Sequence, residues 1–152
     1  MPESLYAAVD TVIFDLDGTL IDSEPDLRAA LNQMLASLGR HSVTRAEVVM
    51  MVGDGVPKLV ERALRARGAE DDVALESAVA QFLGFYEAAP ADLSTPFPGA
   101  LEIVRVLKAD GIKLGICTNK PEEPARAILA CFGFLEFFDV VIGGDTLVDA
   151  RK

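Results

Sequence analysis

The pattern of apolar and polar positions begins with "VDTVIF" at 9–14, a β-branched and aromatic run that stops abruptly at acids and glycine. A run of that length and composition reads as a buried parallel strand ending at Asp15. The period then changes. From Pro25, the apolar residues Leu27, Leu31, Met34, Leu35 and Leu38 follow helical spacing, with proline suited to the first turn and Gly39 to the stop. "TRAE" at 44–47 has the spacing of a capping box, and "VPKLVERALRARG" sets Val56, Leu59, Val60, Ala63 and Leu64 on one face ahead of Gly68, so two more helices are expected. Val79, Phe82, Leu83 and Tyr86 mark another, which ends in the turn-rich "AAPADLSTPFPG".

Beyond that stretch the rhythm is different. "ALEIVRVLKADG" reads as a helix, "IKLGIC" as a buried strand, "PEEPARAILACFG" as a helix and "FDVVIGG" as a third strand. Strands alternating with helices imply an α/β fold with a parallel sheet, whose ligands sit beyond the carboxyl ends of the strands. The expected division is therefore a core of residues 1–20 and 93–152, interrupted after its first strand by a helical insertion at 21–92. No internal repeat or low-complexity segment is evident.

Composition narrows the setting. A chain of 152 residues with 51% hydrophobic content supports a packed core rather than disorder. No apolar run approaches the ~18 residues that span a bilayer, and the N-terminus lacks the basic start and long apolar segment of a secretory signal, so the expectation is no membrane partner and a cytoplasmic location. A net charge of −10 argues against a nucleic-acid partner. It also repels small anions, so a phosphate ester would need a divalent cation and local Lys or Arg to overcome that field. Cys117 and Cys131 are too far apart for a CxxC pair and read as buried thiols; His41, the single histidine, reads as an interhelical loop residue.

The strand ends concentrate the chemistry. The first delivers Asp15 and Asp17, the second Thr118 and Asn119, the third Gly143, Gly144 and Asp145, all at one edge. Two carboxylates at i and i+2 can share a site, one as nucleophile and one as general acid and base. Gly18 and Thr19, directly after them, permit the tight turn. The Thr118 hydroxyl suits donation to a phosphoryl oxygen, helped by backbone N–H groups where the next helix starts at Pro121. The carboxylates call for a hard cation, with Mg²⁺ the best match to oxygen ligands.

"DLDGTLIDS" resembles the first motif of the haloacid dehalogenase-like superfamily and "ICTNK" its second. "MVGDGVPKLVERAL", "PFPGALEIVRVLKADGIKLGICTNKP" and "FFDVVIGGDT" are similar to the phosphoglycolate phosphatases over nearly the whole chain. The resemblance implies a Rossmann-like parallel sheet with an inserted helical cap domain, and hydrolysis of 2-phosphoglycolate or a related small phosphorylated metabolite. It assigns Asp15 as the nucleophile that forms an aspartyl-phosphate and Asp17 as the group that protonates the leaving alkoxide and then activates water. Mg²⁺ would be held by the Asp15 carboxylate and the Asp17 backbone carbonyl. The second acid favours phosphoryl transfer over carbon–halogen cleavage. A sugar phosphatase or a phosphosugar mutase would use the same Asp pair.

In the family a lysine follows the third strand, and a later strand carries an acidic pair that completes the metal site. This sequence runs to "DARK", with Lys152 about where that lysine stands. The expectation is a front portion lacking the last core strands, weakly active or non-catalytic, and prone to self-association through an incomplete sheet edge. Other positions carry two readings. Asp22 and Ser23 cap the first helix or touch substrate. Gly53 and Gly55 shape a cap loop facing the site, while Lys58 and Arg62 meet a substrate carboxylate or form a solvated face. Asp145 is a turn residue or a substitute metal ligand, and Asn119 and Lys120 orient substrate or simply begin a helix.

Overall fold

The structure, a computed structural model, describes residues 9–147. The chain forms two units, one comprising the residues up to Ile21 and those from Pro96 onward, the other Asp22–Thr95. These boundaries lie slightly later than the turn-rich stretches suggested. The chain crosses between the units on two short strands, β2 (Ile21–Asp22) and β3 (Thr95–Pro96), which form a two-stranded sheet of their own.

The first unit is built on a parallel sheet in the order β1–β4–β5, with β1 spanning Thr11–Phe14, β4 Lys113–Cys117 and β5 Val140–Ile142. Thr11 pairs with Lys113 and Phe14 with Ile116; Gly115 pairs with Val140 and Cys117 with Ile142. The central strand buries Leu114, Gly115 and Ile116. Its glycine has a steric reason, since a Cβ there would come within 2.8 Å of Ile13 Cδ1 and 3.0 Å of Val140 Cγ1 on the flanking strands. The run at 9–14 is not a strand buried on both faces. Among the described residues β1 has a single sheet neighbour, and Ile13 is 57% exposed.

Helix α5 (Ala100–Ala109) turns Val104 and Leu107 into the core, and α6 (Glu122–Cys131) turns in Ala125, Ile128 and Leu129. A buried Leu or Ile of this kind contributes roughly 1.5–3 kcal/mol of hydrophobic stabilisation. A 3-10 turn at Leu135–Phe137 follows, and Phe138 meets Phe14 edge-on with ring centroids 6.1 Å apart. Neither cysteine is buried: Cys117 is half-buried at the end of β4, and Cys131 is exposed because it falls on the outward face of amphipathic α6.

The second unit is all-helical, with α1 (Glu24–Ser37), α2 (Arg45–Met51), α3 (Val56–Ala66) and α4 (Leu75–Ala88). Its core gathers Leu31, Met34, Leu35, Val60, Leu64 and Phe82, at the positions the helical spacing marked. The capping box forms as read, with Glu47 N–H donating to Thr44 Oγ1 and the Glu47 carboxylate accepting from Thr44 N–H at 2.7 Å. Arg67 ties this corner together by donating to the carbonyls of His41 and Ser42 and to both Glu47 oxygens, so His41 does lie in the loop between α1 and α2. Those bonds, Arg67 foremost, hold the Glu47 carboxyl down to about 2.

Candidate active site

Parallel pairing fixes where the chemistry can gather. Because Phe14 lies beside Ile116 and Cys117 beside Ile142, the chain leaves β1 at Asp15, β4 at Thr118 and β5 at Gly143, all at one end of one sheet.

The Asp15–Ile21 segment closes at once into a tight turn. Leu16 is fully buried, and its carbonyl accepts from the N–H groups of Thr19, Leu20 and Ile21 at 3.2, 3.0 and 3.2 Å. Gly18 N–H donates to Ile21 O at 2.9 Å with Gly18 at φ +79°, the left-handed region that a residue bearing Cβ enters only with strain. With Leu16, Leu20 and Ile21 all inward, Asp15 and Asp17 are left at the sheet edge. Asp15 Oδ1 accepts from Leu16 N–H at 2.8 Å.

Asp17 is held differently. The Lys120 ammonium donates to both of its carboxylate oxygens, at 3.2 and 3.3 Å, although the two residues are 103 positions apart in the chain. Lys120 is in turn fixed through its backbone: its N–H donates to Thr118 Oγ1 at 3.2 Å, and its carbonyl accepts from Gly144 N–H at 2.9 Å. Thr118, also buried, donates its own N–H to Ile142 O. A hydroxyl oxygen that accepts from Lys120 keeps its proton to donate elsewhere.

The loop after β5 packs flat against this turn. Glycine is needed twice there, since a Cβ on Gly143 would stand 2.8 Å from the Lys120 oxygen and one on Gly144 2.5 Å from the Asn119 oxygen. Asp145 Oδ1 accepts from Glu122 N–H at 2.7 Å, so this carboxylate caps the start of α6. The start of α6 consequently offers fewer donors than expected, because Pro121 and Pro124 have no N–H and that of Glu122 is engaged. Thr146 Oγ1 accepts from Gly143 N–H and donates to Glu122, and this bond with the Arg126 pair lowers the Glu122 carboxyl below its ordinary range.

The structure thus brings together Asp17, Thr118 and Lys120, with Asp15, Gly18 and Thr19 in the adjoining turn and Asn119 half-buried between Thr118 and Lys120. Asp22 is drawn off to Arg45 at 3.0 Å, and Ser23 occupies the N-cap position of α1 without a side-chain capping bond. Gly53, Gly55, Lys58 and Arg62 belong to the helical unit. There Gly55 starts α3 at φ +86°, Lys58 pairs with Glu61 at 2.7 Å, and Arg62 donates to Met51 O and Asp54, which makes it a brace for the 51–55 loop. Lys152 lies outside the described residues. The sequence left Lys120 open between two roles and gave no sign of its pairing with Asp17. The nearest signal was its place two residues beyond Thr118 at a strand end.

Among the described residues no three His, Cys, Asp or Glu side chains cluster as a metal site. The Asp15 carboxylate and the Asp17 main-chain carbonyl at the turn are hard oxygens of the kind that accept Mg²⁺ with waters completing the shell.

A family model described as haloacid dehalogenase-like hydrolase matches residues 9–152. The chain belongs to that family. Within this hydrolase family it is 47% identical over 137 residues to a phosphoglycolate phosphatase of Cereibacter sphaeroides, a match covering 90% of this chain and 63% of the relative. It is 45% identical to a phosphoglycolate phosphatase of Rhodospirillum rubrum, covering 92% and 60%. A crystal structure from Haemophilus somnus, described as a predicted phosphoglycolate phosphatase, superposes with a TM-score of 0.85 at 29% identity, covering 93% of this chain and 65% of the other. The chain therefore spans about 63% or less of these curated relatives' length. Among the described residues no helix is long and apolar enough to cross a membrane.

Proposed function

We propose that the protein hydrolyses a small phosphate monoester, with 2-phosphoglycolate the leading substrate. The observation that carries this reading is the pairing of two acids held in different ways at one sheet edge, Asp15 by a main-chain N–H and Asp17 by a buried ammonium, with the Thr118 hydroxyl beside them. The relatives' shared name supports the choice of ester.

In this mechanism an Asp15 oxygen attacks phosphorus and forms a new P–O bond while the bond to the ester oxygen breaks. The departing alkoxide takes the proton of the Asp17 carboxyl, and the alcohol leaves. A water then gives its proton to Asp17 and its oxygen to phosphorus, the Asp15–phosphorus bond breaks, and inorganic phosphate is released. Thr118 donates to a phosphoryl oxygen throughout. Mg²⁺, held by the Asp15 carboxylate and the Asp17 carbonyl, would supply positive charge against the phosphoryl oxygens.

The test is phosphate release from 2-phosphoglycolate and from a panel of sugar phosphates by the full-length protein, with and without EDTA, beside Asp15→Asn. Release that EDTA and Asp15→Asn both abolish supports the reading, and release that survives Asp15→Asn refutes the nucleophile. A sugar phosphate turned over faster than 2-phosphoglycolate changes the substrate and keeps the chemistry.

A further inference from the structure

Lys120 is unusual for a lysine: its side chain is 7% exposed, in a chain otherwise rich in exposed charge. Burying an ammonium is costly unless a partner compensates, and buried ion pairs add little net stability over apolar packing. The surroundings nevertheless specify this one from both directions. The backbone of Lys120 is pinned to Thr118 and to Gly144, and two glycines admit the loop that pins it. Its ammonium reaches both oxygens of Asp17, whose side chain is itself 16% exposed. Contact with both oxygens constrains the rotation of the carboxylate as well as its position.

We propose that Lys120 is a positioning residue for Asp17, holding the carboxylate in the orientation from which it exchanges a proton with the ester oxygen and then with water. This rests on the phosphatase reading above. Its signature is selectivity. Loss of Lys120 should slow reactions in proportion to how much they depend on Asp17, which a residue that only stabilises the fold, or only binds the phosphoryl group, would not do.

The experiment compares Lys120→Met, Lys120→Arg, Asp17→Asn and the double variant Lys120→Met/Asp17→Asn in the full-length protein with Mg²⁺. Two esters are used: 2-phosphoglycolate, whose leaving alkoxide requires a proton, and p-nitrophenyl phosphate, whose phenolate leaves without one. General acid catalysis is worth roughly 10²–10⁴-fold, so Lys120→Met should lower kcat/KM, which reports the steps up to departure of the alcohol, at least about tenfold more on the alkyl ester than on the aryl ester. Lys120→Arg should recover much of the difference, and the double variant should be no slower than Asp17→Asn. The ratio of the two esters on one preparation does not depend on the fraction folded, so a poorly folding Lys120→Met still reports, and Lys120→Arg reports beside it.

Equal losses of kcat/KM on both esters, or additive losses in the double variant, would overturn the inference and leave the phosphatase reading standing. Wild-type protein that releases phosphate from neither ester overturns both.

Discussion

Gly143→Ala tests how the site is assembled from separate parts of the chain. Gly143 is buried where the loop after β5 lies against the turn after β4, and an added Cβ would stand 2.6 Å from Glu122 Cα and 2.8 Å from the Lys120 oxygen. Ordinary contact begins near 3.4 Å and the obstructing atoms are backbone, so the two segments must separate by the better part of an ångström. That movement strains the Gly144–Lys120 bond of 2.9 Å and the Asp145–Glu122 cap of 2.7 Å. Overpacking costs about 1–3 kcal/mol, and each weakened hydrogen bond about 1 more. Urea unfolding should therefore show a loss of roughly 3–5 kcal/mol. Because the same backbone aims Lys120 and Thr118, kcat/KM on 2-phosphoglycolate should fall by about 10²-fold, the usual consequence of a misplacement of about 1 Å. A variant with stability within about 0.5 kcal/mol of wild type and unaltered turnover would refute the claim that this close approach positions the site.

Other expectations concern the helical unit and its stability. Asp26 is buried and accepts from Leu93 N–H at 3.0 Å and from the Ser94 hydroxyl, so Asp26→Ala strands two donors and should cost about 2–4 kcal/mol in urea unfolding, where a loss under about 0.5 would count against the bond. Gly84 sits inside α4 with an ordinary helical backbone and nothing within 4 Å of a Cβ, so Gly84→Ala should stabilise by about 0.5–1 kcal/mol, and destabilisation would disprove the open space. The Glu47 carboxyl, lowered from 4.5 to about 2, contributes stability that is present above 4.5 and lost as pH falls toward 2. Thermal midpoints measured between those values should fall more steeply for wild type than for Glu47→Gln; parallel curves would remove Arg67 as the cause.

What was legible in the sequence was what short range decides. The Thr44–Glu47 capping box spans three residues, and the turn from Asp15 to Ile21 is set by Gly18 and by buried leucines beside it. Strand ends were legible too, since alternating elements force parallel strands and parallel strands end together. What escaped were choices of partner across long separations. Asp22 has Arg45 as a partner 23 positions away, Asp145 is drawn 23 positions back to Glu122, and Lys120 finds Asp17 across 103. A carboxylate's composition says that it will seek a donor, but only the folded register says which one.

The difference bears on how the two acids of the turn would come to act differently in the proposed reaction. In sequence Asp15 and Asp17 are equivalent, two aspartates separated by one leucine that is buried. The separate roles proposed for them are imposed from elsewhere. Asp15 accepts from the N–H that follows it, within the turn itself, whereas Asp17 is held by an ammonium from the turn after the neighbouring strand β4, which is pinned in turn by a loop with two glycines after β5. A change at Gly143 or Gly144 should therefore impair the chemistry assigned to Asp17 before that assigned to Asp15, with kcat/KM falling further on alkyl esters than on aryl esters. The same ester ratio that tests Lys120 measures this, and a Gly143→Ala variant that slows both esters equally would mean that the third strand supports the whole edge rather than Asp17 alone.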